Sequence, residues 1–247
     1  MAAHVSISVI VPCADQSRFL ATAVASVALQ THPADEIIVV HPADDGATAA
    51  VAGQLADGER RLKVISIPER HPATARNAGL AAAQGNIIGF LDGDDAWARG
   101  KLALQVARLA MLPEQAAVGG LTILCDDIDP ETLAPIGQRG EPVCSPSFGS
   151  LLCRRAVFDR IGPIDTELFY SEDIEFYMRL RDFGVTFLAL GAVVQYYRQH
   201  PASMMHASTP RKESDFRLAV LKSVRRRRRL GLGPATALVL SDSVERT

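Results

Sequence analysis

Cysteine is scarce in this 247-residue chain, and its spacing argues against two classes of protein. The four cysteines lie far apart and none belongs to a C-x-x-C pair; they are Cys13, Cys125, Cys144 and Cys153. Small disulfide-stabilised folds and structural zinc sites need paired or closely spaced cysteines. We therefore expect buried thiols in a reducing compartment.

Long apolar runs are also missing. No stretch reaches the roughly 20 residues that a helix needs to cross a bilayer. The opening Met1-Ala2-Ala3-His4 passes directly into a strand-like segment, without the pattern of a signal peptide. Hydrophobic residues nevertheless make up 48% of the sequence, which is ample for a core. The sequence predicts a soluble, cytoplasmic protein with one large domain or a domain with an appendage.

Positive charge is concentrated near the carboxyl terminus. Residues 211–229 include nine Lys or Arg and two acids, a net charge of +7, whereas the rest of the chain has 17 basic and 26 acidic residues, a net charge of −9. A basic segment can meet a nucleic acid, an anionic membrane or the acidic body of the same chain. Nothing else in the sequence supports a nucleic-acid partner.

The run Arg225–Arg229 therefore has two interpretations. It is either a solvated helix end, favoured by the helix dipole, or a peripheral contact with the inner face of a membrane. Phe216, Val220 and Val224 share one stripe of the same predicted helix. That stripe suits docking on the body of the protein or a homodimer contact.

Strand-like and helix-like segments alternate along the first half of the chain. Strands are predicted at 5–11, 36–40, 62–67 and 86–91, and helices at 17–30, 47–55, 72–83 and 101–111. This alternation is typical of an α/β protein with a mostly parallel sheet covered by helices. The later pattern is less regular: strands at 116–124, 185–190 and 193–197, helices at 154–161, 172–183 and 211–229, and an irregular loop or edge hairpin at 126–147.

One short apolar run breaks abruptly into acids. Ile87–Leu91 has the composition of a buried strand, and Asp92, Asp94 and Asp95 follow it directly. Open α/β sheets bind ligands at the carboxyl ends of their strands. Carboxylates this close repel one another unless a cation shares them, and Mg2+ and Mn2+ prefer oxygen ligands and often bridge to phosphates. The run indicates a metal–diphosphate site, with an acidic surface turn as the alternative.

Six blocks of sequence, in order, resemble family 2 glycosyltransferases over residues 5–206. The blocks are Val5–Pro12 with Ser26–Thr31 and Glu36–Val40, then Ala75–Gly79, Gly85–Trp97 with Lys101-Leu102, Gly149–Asp165, Glu172–Leu180, and Tyr197–His200 with Ser203. The resemblance implies a GT-A fold, with a mostly parallel mixed sheet flanked by helices. It also implies that a sugar is transferred with inversion from a nucleoside-diphosphate sugar, with Mn2+ or Mg2+.

The resemblance also divides the chain. Residues 1–210 would form the glycosyltransferase domain, with a donor half at about 1–113 and an acceptor half at about 114–210. Residues 211–247 would form a basic helix and a tail. The acceptor is unidentified and could be a glycan, a lipid-linked glycan, a peptide or a small molecule.

The resemblance assigns the donor side residue by residue. Asp92 would contact the nucleotide and share the metal with Asp94, and His200 would complete the metal shell. Further donor contacts are implied for Pro12, Ala14, Asp44, Asp45, Arg76, Asn77 and Gly93. A guanidinium such as that of Arg76 suits phosphate through paired hydrogen bonds, although a surface ion pair is the alternative.

Two donor loops depart from the family pattern. Cys13-Ala14-Asp15 stand after Pro12 where the family has an aromatic residue followed by Asn or Glu. An Asp-Asp-Gly run that reads the base arrives three residues late, because His41-Pro42-Ala43 precede it. UDP is the family's default nucleotide, and these departures leave TDP and GDP open.

On the acceptor side, Asp173 is the candidate general base. Direct displacement needs a carboxylate that takes the proton of the acceptor hydroxyl. Glu172 and Asp173 could instead be simple capping acids at a helix start, where the dipole lowers a carboxylate pKa; a raised pKa would have to come from burial or neighbouring acids. Trp97, Glu172 and Tyr170 are assigned to the acceptor side, with core packing as the alternative for the aromatic residues.

Two other classes share such a fold. A non-catalytic sugar-nucleotide-binding or scaffold protein is permitted by the altered loops, but it has no need of both the Asp92/Asp94 pair and Asp173. A nucleotidyltransferase would more typically have a Gly-rich basic loop near the first strand, and the sequence has none there.

Overall fold

A computed structural model describes residues 5–201, 203 and 210–233. The predicted α/β class is confirmed: a nine-stranded mixed sheet is flanked by helices. The first half is built from β1 (Ile7–Pro12), α1 (Ser17–Ala28), β2 (Glu36–Pro42), α2 (Gly46–Gly58), β3 (Leu62–Ile67), α3 (Pro72–Ala82) and β4 (Ile87–Phe90). Its four strands are parallel, in the order β3-β2-β1-β4.

The second half extends the same sheet. It consists of β5 (Ala96–Trp97), α4 (Lys101–Leu109), β6 (Ala116–Ile128), β7 (Pro135–Gln138), β8 (Leu152–Arg154), α5 (Arg155–Ile161), α6 (Glu172–Asp182), β9 (Thr186–Arg198) and α7 (Pro210–Arg229). Antiparallel β8 joins β4 to β6, β6 and β9 run parallel, and β7 pairs with β6 off the main path.

Alternating residues of the central strands supply two cores, one on each face of the sheet. Ile10 of β1 packs into the cluster that also contains Phe148 and Phe176, whereas its neighbour Val9 packs into the cluster of Leu20 and Trp97. Strands buried on both faces lose the apolar–polar alternation and become continuous apolar runs, as β1, β2 and β4 do.

The structure corrects several predicted boundaries. The segments predicted as two strands form a single strand, β9, whose pairing with β6 shifts register near Leu121. Residues 126–147 were predicted to form either an irregular loop or an edge hairpin. The first part of this segment forms the hairpin, because β6 continues to Ile128 and pairs with β7. Ser17 starts α1 but does not cap it; the cap position is Gln16. The two-residue β5 was not predicted.

Helix α7 lies against α6, and their contact is polar as well as apolar. Within the described ranges, no helix is both long and apolar enough to cross a membrane. The predicted tail beyond residue 233 lies outside the described residues.

Candidate active site

Three loops meet at the carboxyl ends of β1, β2 and β4. Because these strands are parallel neighbours, the chain leaves each of them at the same edge of the sheet. The N–H of Gly93 donates to the carbonyl of Pro12 (3.1 Å), and that of Cys13 to the carbonyl of Val40 (2.9 Å). The exposed Ala14 begins the loop between β1 and α1. The predicted donor residues that lie on these three loops are thereby gathered at one edge of the sheet.

The backbone of Gly93 lies too close to the side chains of Cys13 and Gln16 for a larger residue at this position. A Cβ atom at this position would lie 2.7 Å from Cys13 Sγ and 2.8 Å from Gln16 Oε1. Cys13 itself is buried, and burial, together with the charges of Asp94 and Asp45, raises the pKa of its thiol. This buried thiol is protonated, so it is not a nucleophile. It packs against residues 92–95, which we call the acid loop.

The acid loop and the end of β9 face one another. His200 Nε2 lies 3.1 Å from Asp94 Oδ2, which brings the two predicted metal ligands together. His200 also packs on Phe19, with ring centroids 4.8 Å apart. Asp92, the third predicted ligand, is partly exposed on the same loop. Among the described residues, no set of three His, Cys, Asp or Glu side chains is gathered closely enough to hold a metal ion by itself.

Asp95 plays a part that the sequence did not reveal. Its side chain is buried, and its two oxygens accept hydrogen bonds from Gln195 Nε2 (2.8 Å) and from the Arg198 N–H (2.9 Å). Burial and then the charges of Asp94 and Asp92 raise the pKa of Asp95 well above its ordinary value. Asp95 therefore ties the acid loop to the strand that delivers His200.

Arg76 links the predicted donor loop to the predicted acceptor side. It is only 5% exposed, and its Nη atoms donate to Asp92 Oδ1 (2.6 Å) and to Glu172 Oε1 (2.7 Å). Burial opposes its charge, but the charges of Asp92 and Glu172 outweigh burial and raise its pKa. In this structure one N–H of each Nη atom is used by a carboxylate, and the direct phosphate contact of Arg76 stays a prediction.

Asp173 has the electrostatic character of a base that works near neutral pH. It lies in the first turn of α6, and its Oδ1 accepts the Ile174 N–H (2.7 Å). Burial first, and then the charge of Glu172, raise the pKa of Asp173 to about 7. Burial also raises the pKa of Glu172, against the opposing effect of Arg76. The helix dipole is therefore outweighed, as the sequence required for this role.

The two aspartates after β2 have different surroundings. Asp45 is buried and caps α2, accepting the Thr48 N–H (3.0 Å), and it also accepts the Asp15 N–H (2.6 Å). Asp44 is exposed and pairs with Arg70, which also reaches Asp15 (2.6 Å). Asp45 is therefore used as a helix cap, and Asp44 is the more exposed carboxylate of the two. The contact of either aspartate with the base stays a prediction.

Two predicted site residues make structural contacts. The Asn77 amide donates to the carbonyl of Ile164 (2.8 Å) and accepts its N–H (2.9 Å), and its contact with the donor stays a prediction. Trp97 is 1% exposed, and its Nε1 donates to the carbonyl of Gly149 (2.8 Å). A ring buried in this way cannot stack on an acceptor sugar, and the packing alternative describes Trp97.

Tyr170 is half-buried on the loop that leads into α6. Its ring lies 5.0 Å from that of Phe169 and 5.4 Å from Lys212 Nζ of α7. It thus stands two residues before Glu172, beside the candidate base, with α7 on its other side.

Comparisons with known proteins agree with this geometry. An uncharacterised glycosyltransferase of Nostoc sp. (strain PCC 7120) is 34% identical over 180 residues, which cover 64% of this chain and 54% of the relative. Succinoglycan biosynthesis protein ExoU of Rhizobium meliloti is 39% identical over 105 residues, or 41% of this chain and 30% of that protein. The chain spans about half the length of the first relative and less of the second.

Solved structures share the fold. Mannosyltransferase PcManGT from Pyrobaculum calidifontis, solved with GDP-Man and Mn2+, aligns with a TM-score of 0.71 at 21% identity, covering 96% of this chain and 67% of that one. S. aureus TarS, solved with UDP-GlcNAc, aligns with a TM-score of 0.65 at 20% identity, covering 88% and 66%. The predicted GT-A architecture is confirmed. The model of Glycosyl transferase family 2 matches residues 8–161, more than half of the sequence, and the chain belongs to that family.

Proposed function

We propose that this chain is a metal-dependent, inverting glycosyltransferase that moves a sugar from a nucleoside-diphosphate sugar to a nucleophile of an acceptor. The observation that carries the proposal is the arrangement around Arg76. Through Asp92 and Glu172, this buried guanidinium joins the donor loop to the helix that presents Asp173. A carboxyl group with a pKa of about 7 at that junction suits a general base.

Asp94 and His200 fit a divalent cation. Their facing atoms are a carboxylate oxygen and an imidazole nitrogen 3.1 Å apart, a donor pair that suits Mn2+. Two protein ligands are enough where phosphate oxygens and water supply the others, as is usual for Mg2+ sites. A bound Mn2+ or Mg2+ would supply neutralisation of the charge that develops on the departing diphosphate.

In the mechanism we propose, Asp173 takes the acceptor proton. Its Oδ1 is held by the Ile174 N–H, and we assign Oδ2 to the acceptor hydroxyl. The acceptor oxygen bonds to the anomeric carbon as the bond from that carbon to the diphosphate oxygen breaks, so the anomeric configuration inverts. Burial and then the charge of Glu172 keep the pKa of Asp173 high enough for the proton to be accepted near neutral pH. The charge of Arg76 offsets the mutual repulsion of Asp92, Glu172 and Asp173.

The proposal includes donors with more than one nucleotide. PcManGT was solved with GDP-Man and TarS with UDP-GlcNAc, and we take UDP-sugars as the first choice, with GDP- and TDP-sugars beside them. A panel of nucleotide sugars, scored by thermal shift with and without Mn2+, would identify the donor, because a ligand that binds the native state raises its apparent stability. The acceptor could be a glycan, a lipid-linked glycan, a peptide or a small molecule.

The test is Asp173→Asn in the full chain, assayed for nucleotide release from the donor that the panel identifies. We expect turnover to fall by roughly two to four orders of magnitude, because a positioned base is lost. Donor affinity should change little, since the metal ligands are intact. Near-parental turnover of this variant, or a product that retains the donor's configuration, would contradict the proposal. A parent that binds donors and turns none over would be a sugar-nucleotide-binding protein.

We also propose a peripheral location at the inner face of a membrane. Arg225, Arg228 and Arg229 are exposed on α7, beside exposed Leu221 and Val224. Basic residues near an anionic leaflet contribute about 1 kcal/mol each to association. The other two arginines of the run, Arg226 and Arg227, are turned inward to Asp182, so the membrane contact is narrower than the sequence predicted.

A further inference from the structure

We propose that α7 clamps the helix that bears the candidate base, and that Asp215 on α7 is a positioning residue for Asp173. This inference rests on the proposed function and extends it to a helix that lies beyond the region matched by the family model. Two separate attachments hold α6 against α7, one before the base and one after it.

The first attachment is made by one carboxylate oxygen. Asp215 is 7% exposed, and its Oδ2 accepts the N–H groups of Phe169 (3.0 Å) and Tyr170 (2.9 Å). These amides belong to the last loop residues before Ser171. Asp215 thus satisfies two backbone donors that immediately precede the first turn of α6.

The turn that Asp215 holds has an unfavourable conformation. Ser171 has a φ of +63°, in the left-handed region that residues other than glycine rarely adopt, and its side chain makes no cap hydrogen bond. Such a conformation persists where its surroundings fix it, and here the fixed segment leads directly to Glu172 and Asp173. The position of Asp173 therefore depends on contacts made by the preceding loop.

The second attachment is a buried ion-pair network. Arg226 of α7 donates to Glu175 Oε1 (2.8 Å) and to Asp182 Oδ2 (3.0 Å), which lie near the two ends of α6. Arg179 of α6 meets the other oxygen of Glu175 (2.8 Å). The two attachments lie on different parts of α6 and the loop before it, so together they oppose both sliding and rotation of α6 on α7.

The loop that Asp215 holds also touches the helix of Arg76. The ring of Phe169 lies 5.2 Å from that of His71, the residue at the start of α3, and Arg211 of α7 covers the Phe169 ring at 4.8 Å. One aromatic side chain therefore connects α7 to the two helices that carry Arg76 and Asp173. A small shift of this loop would move the base relative to the donor, and a displacement of about 1 Å can cost on the order of 100-fold in rate.

The experiment compares Asp215→Ala with Asp215→Asn and the matched control Glu213→Ala. Glu213 is on the same helix, is exposed and pairs only with Arg217 among its described contacts, so its loss changes the charge equally without touching the loop. The reading is nucleotide release from the donor that the thermal-shift panel identifies, with Mn2+ present. Hydrogen exchange at the amides of Phe169 and Tyr170 is measured alongside it.

We expect Asp215→Ala to lower kcat by about 10- to 100-fold, to leave the donor KM within about twofold, and to speed exchange at both amides. Asp215→Asn should recover most of kcat, because both hydrogen bonds end on one oxygen that an amide also offers. Glu213→Ala should match the parent. If the Ala variant does not fold, Asp215→Glu keeps the charge, displaces the carboxylate by one methylene, and should still lower kcat with KM unchanged.

Parental kcat in Asp215→Ala or Asp215→Glu, with faster exchange at the two amides, would overturn the positioning role. So would a loss in which kcat and donor affinity fall together, or a loss that Asn does not recover, since these indicate a general structural effect. The proposed function fails separately, through parental turnover in Asp173→Asn. A parent that turns over no donor would remove both proposals.

Discussion

At the scale of single residues, the candidate chemistry is divided between carboxylates in unlike surroundings. Asp94 faces the imidazole of His200, and Asp92 faces the guanidinium of Arg76. Burial and the charge of Glu172 raise the pKa of Asp173. Carboxylates with different partners and different burial can take different roles at one pH. Metal binding and proton transfer can therefore be tested by separate substitutions.

Asp94→Ala tests the metal site. We expect Mn2+-dependent nucleotide binding to be lost while the fold is retained, because Asp94 lies on a loop beyond β4 and outside the core. Calorimetric titration of the nucleotide with and without Mn2+ gives the affinity, and the far-UV circular dichroism spectrum checks the fold. An unchanged Mn2+-dependent affinity would place the cation elsewhere.

The raised pKa of Asp173 predicts two opposite pH effects. Turnover should fall about tenfold per pH unit below roughly pH 7, because the protonated acid cannot act as a base. Stability changes in the other sense: a group whose folded pKa exceeds its unfolded value favours the folded state below the unfolded pKa, and this contribution is lost as the pH rises through about 7. Asp173→Asn should therefore be more stable than the parent at pH 8, by an amount on the order of 1–2 kcal/mol.

Urea titrations of both proteins at pH 5 and pH 8 measure that difference. It should be larger at pH 8, where the parent must ionise a buried carboxyl group. A variant that is less stable than the parent at pH 8 would show that the ionised Asp173 carboxylate does not destabilise the folded parent.

At the scale of elements, α6 is the best-connected helix of the site. It receives Arg76 at its first turn, Asp215 through the preceding loop, and Arg226 along its length. A helix with the acids Glu172, Asp173 and Glu175 in its first turn gains from its dipole, but buried acids also need partners. Glu172 accepts from Arg76 of α3, and Glu175 accepts from Arg179 of α6 and Arg226 of α7.

Arg226→Met tests the contribution of the α6–α7 network to stability. We expect a loss of about 2 kcal/mol in the free energy of unfolding at pH 7, because Glu175 and Asp182 each lose a buried charged partner. Arg225→Met, at the exposed neighbouring position, should stay within about 0.5 kcal/mol of the parent. Equal stability of the two variants would show that the network adds nothing to folding.

The stability that Arg226→Met loses should be smaller at acidic pH. Burial opposes the charge of Asp182, but hydrogen bonds from Ser223, Arg181, Arg226 and Arg227 outweigh burial and hold its pKa below the ordinary value. A depressed carboxylate pKa stabilises the folded state above the unfolded pKa of about 4, and that stabilisation is lost as the pH falls through the folded pKa. The same urea titrations at low pH check this.

At the scale of the whole molecule, charge separates into an acidic body and a basic carboxyl-terminal helix. Some of the basic residues of this helix form ion pairs within the molecule: Arg226, Arg227 and Lys222 pair with acids of the body. What remains on the outside of α7 is a short row of arginines with a few exposed apolar residues between them.

Replacing Arg225, Arg228 and Arg229 with Ser tests the membrane contact. We expect binding to vesicles of mixed phosphatidylglycerol and phosphatidylcholine to weaken by about 100-fold, from roughly 1 kcal/mol for each of the three basic residues, with nucleotide release unchanged. Replacing the exposed Arg60 and Arg99 of the body controls for the loss of positive charge elsewhere. A parent that stays in the supernatant at moderate salt would reject the membrane contact and leave a solvated helix end.

By itself, the sequence determined what depends on local pattern. The alternation of apolar segments predicts the α/β class, which the structure confirms. The break from Ile87–Leu91 into acids predicts the edge of the sheet at which we propose that the donor binds, because a strand and the turn after it are encoded by adjacent residues. Asp173 was identified through the resemblance of its block and its place at a helix start. The meeting of Asp94 with His200 was anticipated in the same way.

The tertiary structure decided whatever depends on residues distant in the chain. Trp97 is a core residue because β9 and the loop at Gly149 enclose it, and Asn77 holds Ile164 across 87 positions. The pKa of Asp173 rises because burial and Glu172 outweigh a helix dipole that, taken alone, predicts a lower value. Burial and charge pairing at these sites are set only when separate elements pack together, and no local pattern encodes them.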